Sequence, residues 1–499
     1  MEIIFENKTA FIYKDLCYKM QCVRDSVDSV VPDVNEDIGR VASVQHCILL
    51  KSKDITERGV SIGGEIKLCA LYITENEDKV SALNLSKTFN IDFDVPEISA
   101  DAVAQIKLNL NNIESRIINP RKLAVNYEIC GLLSVYTPEE CDIESVVPEK
   151  DSTLLKQKTE TVEIDLPCAV CEKSLIINEQ HVLSSIKTNP VRLISADAKL
   201  VCGECQHVGT KLIVKGTTYI TVTYITENEN YPLITEFSAN FSQILDTGVE
   251  NVVHCAVRPE LNNLYYELKE TINGEYAVDI ELHAVLQAAC YKTQCLKYIS
   301  DAYSNKMPIK INSIKCFKTG NSRLQYEKIN IDEKLSVSDD CQDILCVLPS
   351  LCHTELANNK LTATIHFDII YQSMNASVCA VRRSTCIESE ELGCGARIVS
   401  CKLSNIHIKP EVGVIDAKLI FEYTYQCAYS NEYTKVRSVE LCEDEKYDLS
   451  KLPSFSMVRV ENETLWDLAK RYHSSVDRIC ACNDTGSLDN GFVMIPKEC

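Results

Sequence analysis

The sequence predicts a mainly β protein: three β-rich repeat domains in tandem, residues 1–150, 151–303 and a divergent 304–450, then a small α+β unit of order β-α-α-β over 453–499. Three observations predict it. One strand-and-turn segment occurs twice in nearly the same form, apolar and polar residues alternate with period two over long stretches, and a helical period replaces that alternation only near the C-terminus.

The duplicated segment reads GEIKLCALYITENE from Gly64 and GTTYITVTYITENE from Gly216. Gly64 and Gly216, like Tyr72 and Tyr224, are 152 residues apart. Downstream, Phe89 and Phe93 repeat as Phe237 and Phe241, a spacing that puts both rings on one face of a strand. A third, fainter copy alternates Leu361, Ala363, Ile365, Phe367, Ile369 and Tyr371 with polar residues, and Tyr371 lies 147 residues beyond Tyr224. Each unit closes on another strand-like run ending near Tyr136, Tyr291 or Tyr429. The acidic turns Glu75-Asn76-Glu77 and Glu227-Asn228-Glu229 read as solvated hairpin loops, with a repeated docking surface as the sharper alternative.

From Phe455 the pattern changes. SMVRV is a short strand, and Glu463 to Tyr472 sets Leu465, Leu468, Ala469 and Tyr472 at helical spacing, with Thr464 as the N-cap. Ser475 to Cys482 forms a second helix with Val476 and Ile479 inward, and Phe492 to Ile495 closes the unit before Pro496.

Thr464-Leu465-Trp466, Ala469, Tyr472, Ile479, Asn483, Gly491, Ile495 and Pro496 resemble the LysM pattern. The resemblance implies a βααβ fold and a groove for N-acetylglucosamine polymers between 461–464 and 483–491. Its residues here are Asn462, Glu463, Thr464, Asn483, Asp484 and Gly491. Asn462-Glu463 stands where the family has Gly-Asp, which removes a residue that tolerates close backbone approach to a ligand. Weak sugar binding and a protein-contact role are therefore expected. Trp466, the only Trp, reads as a packing anchor rather than a sugar-stacking platform.

The repeats, with their Gly-strand-Tyr core and acidic turn, are similar to the SPOCS domain of spore-forming Firmicutes. Three such domains before a LysM resemble the layout of clostridial spore-coat morphogenetic adaptors that bind the coat-basement ATPase. What this implies is a non-enzymatic scaffold on the mother-cell side of the forespore surface, with coat or envelope assembly proteins as partners. A peptidoglycan-binding protein of cortex or wall is the alternative, and a LysM-delivered hydrolase a distant third.

A formal charge of −21 and a pI near 5.0 argue against nucleic acid, whose binding depends on Lys and Arg neutralising phosphates. No apolar run approaches the roughly 18 residues of a membrane span, so no membrane insertion is expected. The N-terminal MEIIFENKTAFIYKDLC lacks a charged region followed by an apolar one, so a cytoplasmic protein is expected. The 26 cysteines then read as mostly reduced and buried, as at Cys69 and Cys427.

Two Cys-x-x-Cys pairs, Cys168/Cys171 and Cys202/Cys205, are the candidate metal ligands, since Zn²⁺ favours two thiolate pairs meeting tetrahedrally. The competing reading is incidental cysteines in turns, because the other two repeats lack matching pairs. Cys480 and Cys482 read as packing residues. No nucleophile elbow, phosphate loop, His-Glu-x-x-His or dinucleotide fingerprint occurs, and the nine histidines are scattered, so neither catalysis nor a cofactor is expected.

Overall fold

The structure is a computed structural model that describes residues 2–497 apart from 77–78, 149–152, 184–188, 228, 230, 273, 321–323, 394, 412, 428, 449, 451–452, 461–462 and 484–490. Strands dominate. β1 (Glu2–Ile4) precedes a first run of β2 (Glu6–Val30), β3 (Ile38–Thr56), β4 (Gly59–Thr74), β5 (Val80–Asp94), β6 (Val103–Asn119) and β7 (Lys122–Val146). The second run is β8 (Lys156–Val182), β9 (Pro190–Val208), β10 (Lys211–Thr226), β11 (Leu233–Asp246), β12 (His254–Glu270) and β13 (Tyr276–Tyr303). The third comprises β14 (Ile309–Gly320), β15 (Leu324–Ser336), β16 (Cys341–Ala357), β17 (Lys360–Ser373), β18 (Val378–Glu388), β19 (Ala396–Glu411), β20 (Val414–Cys427) and β21 (Tyr429–Leu441). Last come β22 (Phe455–Arg459), α1 (Leu465–Arg471), α2 (Val476–Cys482) and β23 (Phe492–Pro496). No helix among the described residues is long and apolar enough to cross a membrane.

The three runs share one strand order. Each holds an antiparallel meander, β3-β4-β5, β9-β10-β11 or β16-β17-β18, and a facing layer, β6-β7-β2, β12-β13-β8 or β19-β20-β15. The reason lies in the central meander strands. In β10 the even positions Leu212, Val214, Thr218, Ile220, Val222 and Tyr224 are buried, whereas Tyr219 is exposed, so period two turns one face inward. The layers are tied at their corners by side chains reaching backbone: Lys53 Nζ to the Ala104 carbonyl at 2.6 Å, Gln243 Nε2 to Ser174 at 2.8 Å, and Arg383 Nε to Ser336 at 2.7 Å.

Tyr72, Tyr224 and Tyr371 occupy matching places near the ends of β4, β10 and β17. The phenylalanine correspondence is corrected. Phe89 lies opposite Gly64 and Phe241 opposite Gly216, so these two match, while Phe237 matches Leu85 and Phe93 matches Leu245. Each pair is again 152 residues apart, four residues off the correspondence expected from the Phe-x-x-x-Phe spacing. Tyr429 is also displaced as an equivalent of Tyr136 and Tyr291. Those two lie opposite the first residues of β6 and β12, Val103 and His254, and in the third run the residue opposite the first of β19, Ala396, is Cys427.

The runs pack on one another. Gln426 Nε2 reaches the Tyr291 hydroxyl at 3.5 Å, and Tyr136 and Tyr291 share a buried cluster with Tyr13, Val103 and Val170. A second cluster joins Leu71 and Ile73 of β4 to Ile194 of β9, Leu348 of β16 and Ile370 of β17. Gln287, fully buried, donates to the Ile106 carbonyl and accepts from the Ile106 amide, both at 2.9 Å, which ties β13 to β6 as a strand neighbour would. The ends of the long strands form a further core. β1 pairs with β21 at Glu2↔Glu440, and Ile3, Phe5, Ile299, Met307, Val436 and Val439 bury one another. Between the runs lies a cavity of about 1460 Å³ lined by Tyr18, His46, Lys107, Tyr219, Tyr266 and Cys401, among others.

Candidate functional site

The C-terminal module is held together at the two corners where ligand residues were expected. Thr464 caps α1 through a reciprocal box, its hydroxyl accepting from the Asp467 amide at 3.2 Å while the Asp467 carboxylate accepts from the Thr464 amide at 3.0 Å. Glu463, just before α1, is ion-paired with Arg471 in the last turn of that helix. Asn483 ends α2, and its amide is committed internally: Nδ2 donates to the Ile479 and Met494 carbonyls, each at 2.7 Å, and Oδ1 accepts from the Met494 amide at 2.9 Å. Gly491 contributes its carbonyl to the Val460 amide at 3.1 Å. Asn462 and Asp484 lie outside the described residues. Thr464, Glu463, Asn483 and Gly491 are thus primarily the fasteners that fix where the corners sit.

Trp466 packs outward from the module onto the body. Its indole N–H donates to Asp301 Oδ2 at 2.8 Å, and its ring meets that of Tyr303 edge-on at 4.8 Å. Lys470, one turn further along α1, reaches both Asp301 oxygens at 2.8 Å. Tyr303 is 3 % exposed, joins the module core of Val460, Leu468, Ala469, Ile479, Val493 and Ile495, and donates its hydroxyl to the Ser474 carbonyl at 2.9 Å. Tyr447 and His473 add a ring contact at 4.0 Å. The end of β13 is therefore the seat of the module. Sequence reading missed Asp301 and Tyr303, since nothing local distinguishes them from other residues of a long strand.

Opposite the helices, the two-stranded sheet shows an apolar face to solvent. Phe455, Met457 and Phe492 are 56 %, 57 % and 69 % exposed, and cross-strand register places Phe455 against Pro496, Met457 against Met494 and Arg459 against Phe492. Three large apolar side chains on one side of a sheet of two five-residue strands form a patch of the kind that marks an interaction site.

The four candidate metal cysteines come to one end of the second run, joined by Cys255 and Cys290. Cys171 is opposite Ala288 and Cys290 opposite Ala169 on β13 and β8, while Cys202 and Cys205 lie opposite Gly216 and Val214 on β9 and β10. Burial pushes the thiols of Cys168, Cys171 and Cys205 up to about 11 and that of Cys202 to about 12. Among the described residues no three His, Cys, Asp or Glu side chains converge to hold a metal ion. The expectation of mostly buried thiols is corrected: of the 22 free cysteines among the described residues seven are buried, Cys295, Cys386, Cys480 and Cys482 are exposed and the rest lie between, while Cys22 and Cys130, opposite each other on β2 and β7, form a disulfide.

These layers and the helix-bearing module define a mainly β protein of several packed sheets. Residues 37–118 match the family model described as SipL, SPOCS domain, which covers β3 to β5 and nearly all of β6, including Gly64, Tyr72 and Phe89. That family suggests a sporulation-related role. No curated protein and no solved structure matches the chain.

Proposed function

We infer that the chain is a non-enzymatic scaffold or adaptor of spore coat or envelope assembly, made of three tandem SPOCS-type domains and a C-terminal LysM-type module that contacts protein. The observation that carries this reading is the SPOCS match over 37–118, together with the recurrence of that segment's strand order and register in the second and third runs. Extensive packing between the runs suits a rigid body whose task is to present surfaces. A protein partner for the module is supported by its apolar outer face and by the internal commitment of Asn483. A sugar groove needs free polar groups at those corners instead.

The test is affinity purification of the tagged full chain from sporulating cells, with mass spectrometry of what co-purifies. A coat or envelope assembly protein lost on Met457→Asp and Phe492→Asp replacement supports the reading. Retention of the full chain on purified peptidoglycan, unaffected by those changes and with no protein captured, would replace it with the wall-binding alternative.

A further inference from the structure

We propose that Cys255 and Cys290 form a redox-active dithiol that closes into a cross-strand disulfide by exchange with a low-molecular-weight disulfide. They face each other on the antiparallel hairpin β12-β13, and their sulfurs are 3.3 Å apart. Directly opposed residues of antiparallel strands bring their Cα atoms to about 4.5 to 5.5 Å, inside the range a disulfide spans. The first run already carries a bond of this kind, since Cys22 and Cys130 are likewise directly opposed on β2 and β7.

The two sulfurs are unequal. Cys290 is fully buried, whereas Cys255 is part-exposed and can be approached from solvent. Among the thiols around them, Cys168 is engaged with the Cys290 carbonyl at 3.4 Å. Of the opposed pair, Cys255 is the sulfur that an incoming disulfide can reach, and it is the nucleophile.

In the first step the Cys255 thiolate attacks one sulfur of the small disulfide. That S–S bond breaks, a mixed disulfide forms on Cys255, and one thiolate leaves and takes up a proton. Cys290 then gives up its proton, attacks the Cys255 sulfur and expels the second small thiol. The protein dithiol is oxidised by two electrons and the small disulfide is reduced to two thiols.

The test uses the full chain, reduced, desalted and equilibrated across a series of oxidised-to-reduced glutathione ratios. Remaining thiols are alkylated and the peptides mapped by mass spectrometry. The expected result is a linked Cys255–Cys290 peptide appearing as the ratio rises, while Cys168, Cys171, Cys202 and Cys205 stay fully alkylated. In Cys290→Ser, Cys255 accumulates as the glutathione mixed disulfide. In Cys255→Ser, Cys290 takes up none. Wild-type mapping decides the matter even where a variant folds poorly. Free Cys255 and Cys290 at every ratio, or Cys255 linked to one of the other four, overturns the proposal.

Discussion

Gly64 lies under the ring of Phe89. The two face each other across β4 and β5, and a Cβ on Gly64 would sit 2.3 Å from the Phe89 Cζ. Gly216 and Phe241 repeat the arrangement at the same 2.3 Å. In the third run the same place holds Ala363 opposite Ile387, so a small residue has grown where the large one has shrunk.

Gly64→Ala is therefore expected to destabilise by about 1 to 3 kcal/mol through overpacking, as the ring is displaced. Phe89→Ile in the Gly64→Ala background should recover part of this, because the third run tolerates that pair. Recovery is partial, since the Leu49 carbonyl also lies 2.9 Å from the added Cβ. A double-mutant cycle on urea midpoints measures it; two strictly additive losses would show that the residues do not share the space.

Asp301 holds Trp466 and Lys470 together at the seat of the module. Asp301→Ala removes charge-assisted bonds worth about 1.5 to 3 kcal/mol, so the module should lift from the body more often without unfolding. Amide exchange in α1 and around Tyr303 is expected to quicken while exchange in β4 is unchanged. Equal acceleration across the chain would mean that the seat is inseparable from the body's global stability.

Asn483→Ala should unfold the module rather than remove a ligand contact. Three internal hydrogen bonds are lost, and the Met494 amide and carbonyl lose their partner, at about 1 to 3 kcal/mol for each group left unsatisfied. The readout is exchange protection across β23. A folded module with diminished ligand capture would instead restore Asn483 to a ligand role.

Gln287 fills a strand's place beside Ile106. Gln287→Leu preserves much of the shape but strands that amide and carbonyl, so a loss of about 2 kcal/mol or more is expected. Two unfolding transitions in place of one in calorimetry would locate the loss at the contact between the first and second runs.

His46, on the wall of the central cavity, is pushed down to about 4, first by burial and further by Lys199, with Asp197 opposing. An unfolded His takes up its proton near pH 6.5 and the folded one only near 4. The stability it contributes is therefore present above about pH 6.5 and is lost as pH falls through 4, on the order of 3 kcal/mol. Urea midpoints between pH 7.5 and 4 should fall less steeply in His46→Asn than in the wild type; parallel curves would rule His46 out as the source.

Much of the architecture was written locally, and the reason is that strands and caps are local. Period two in β10 states which side chains turn inward, the repeated Tyr marks the end of each central strand, and Thr464 beside Asp467 specifies the start of α1. Those features depend on residues within a few positions of one another.

What covers an apolar face is not local. β4 is buried on both sides, its even positions against its own facing layer and Leu71 and Ile73 against β9, β16 and β17, yet alternation can describe only one of those faces. The seat at Asp301 and Tyr303, the Gln287–Ile106 bond and the meeting of Cys255 with the two Cys-x-x-Cys pairs join residues 35 or more positions apart. Legible in the residues alone were the inward faces of the strands, the duplicated strand-and-turn segment and the cap of α1. Tertiary structure alone decided which of those faces meet, because each contact depends on the direction in which several independently formed layers pack, and that direction has no signature in any one of them.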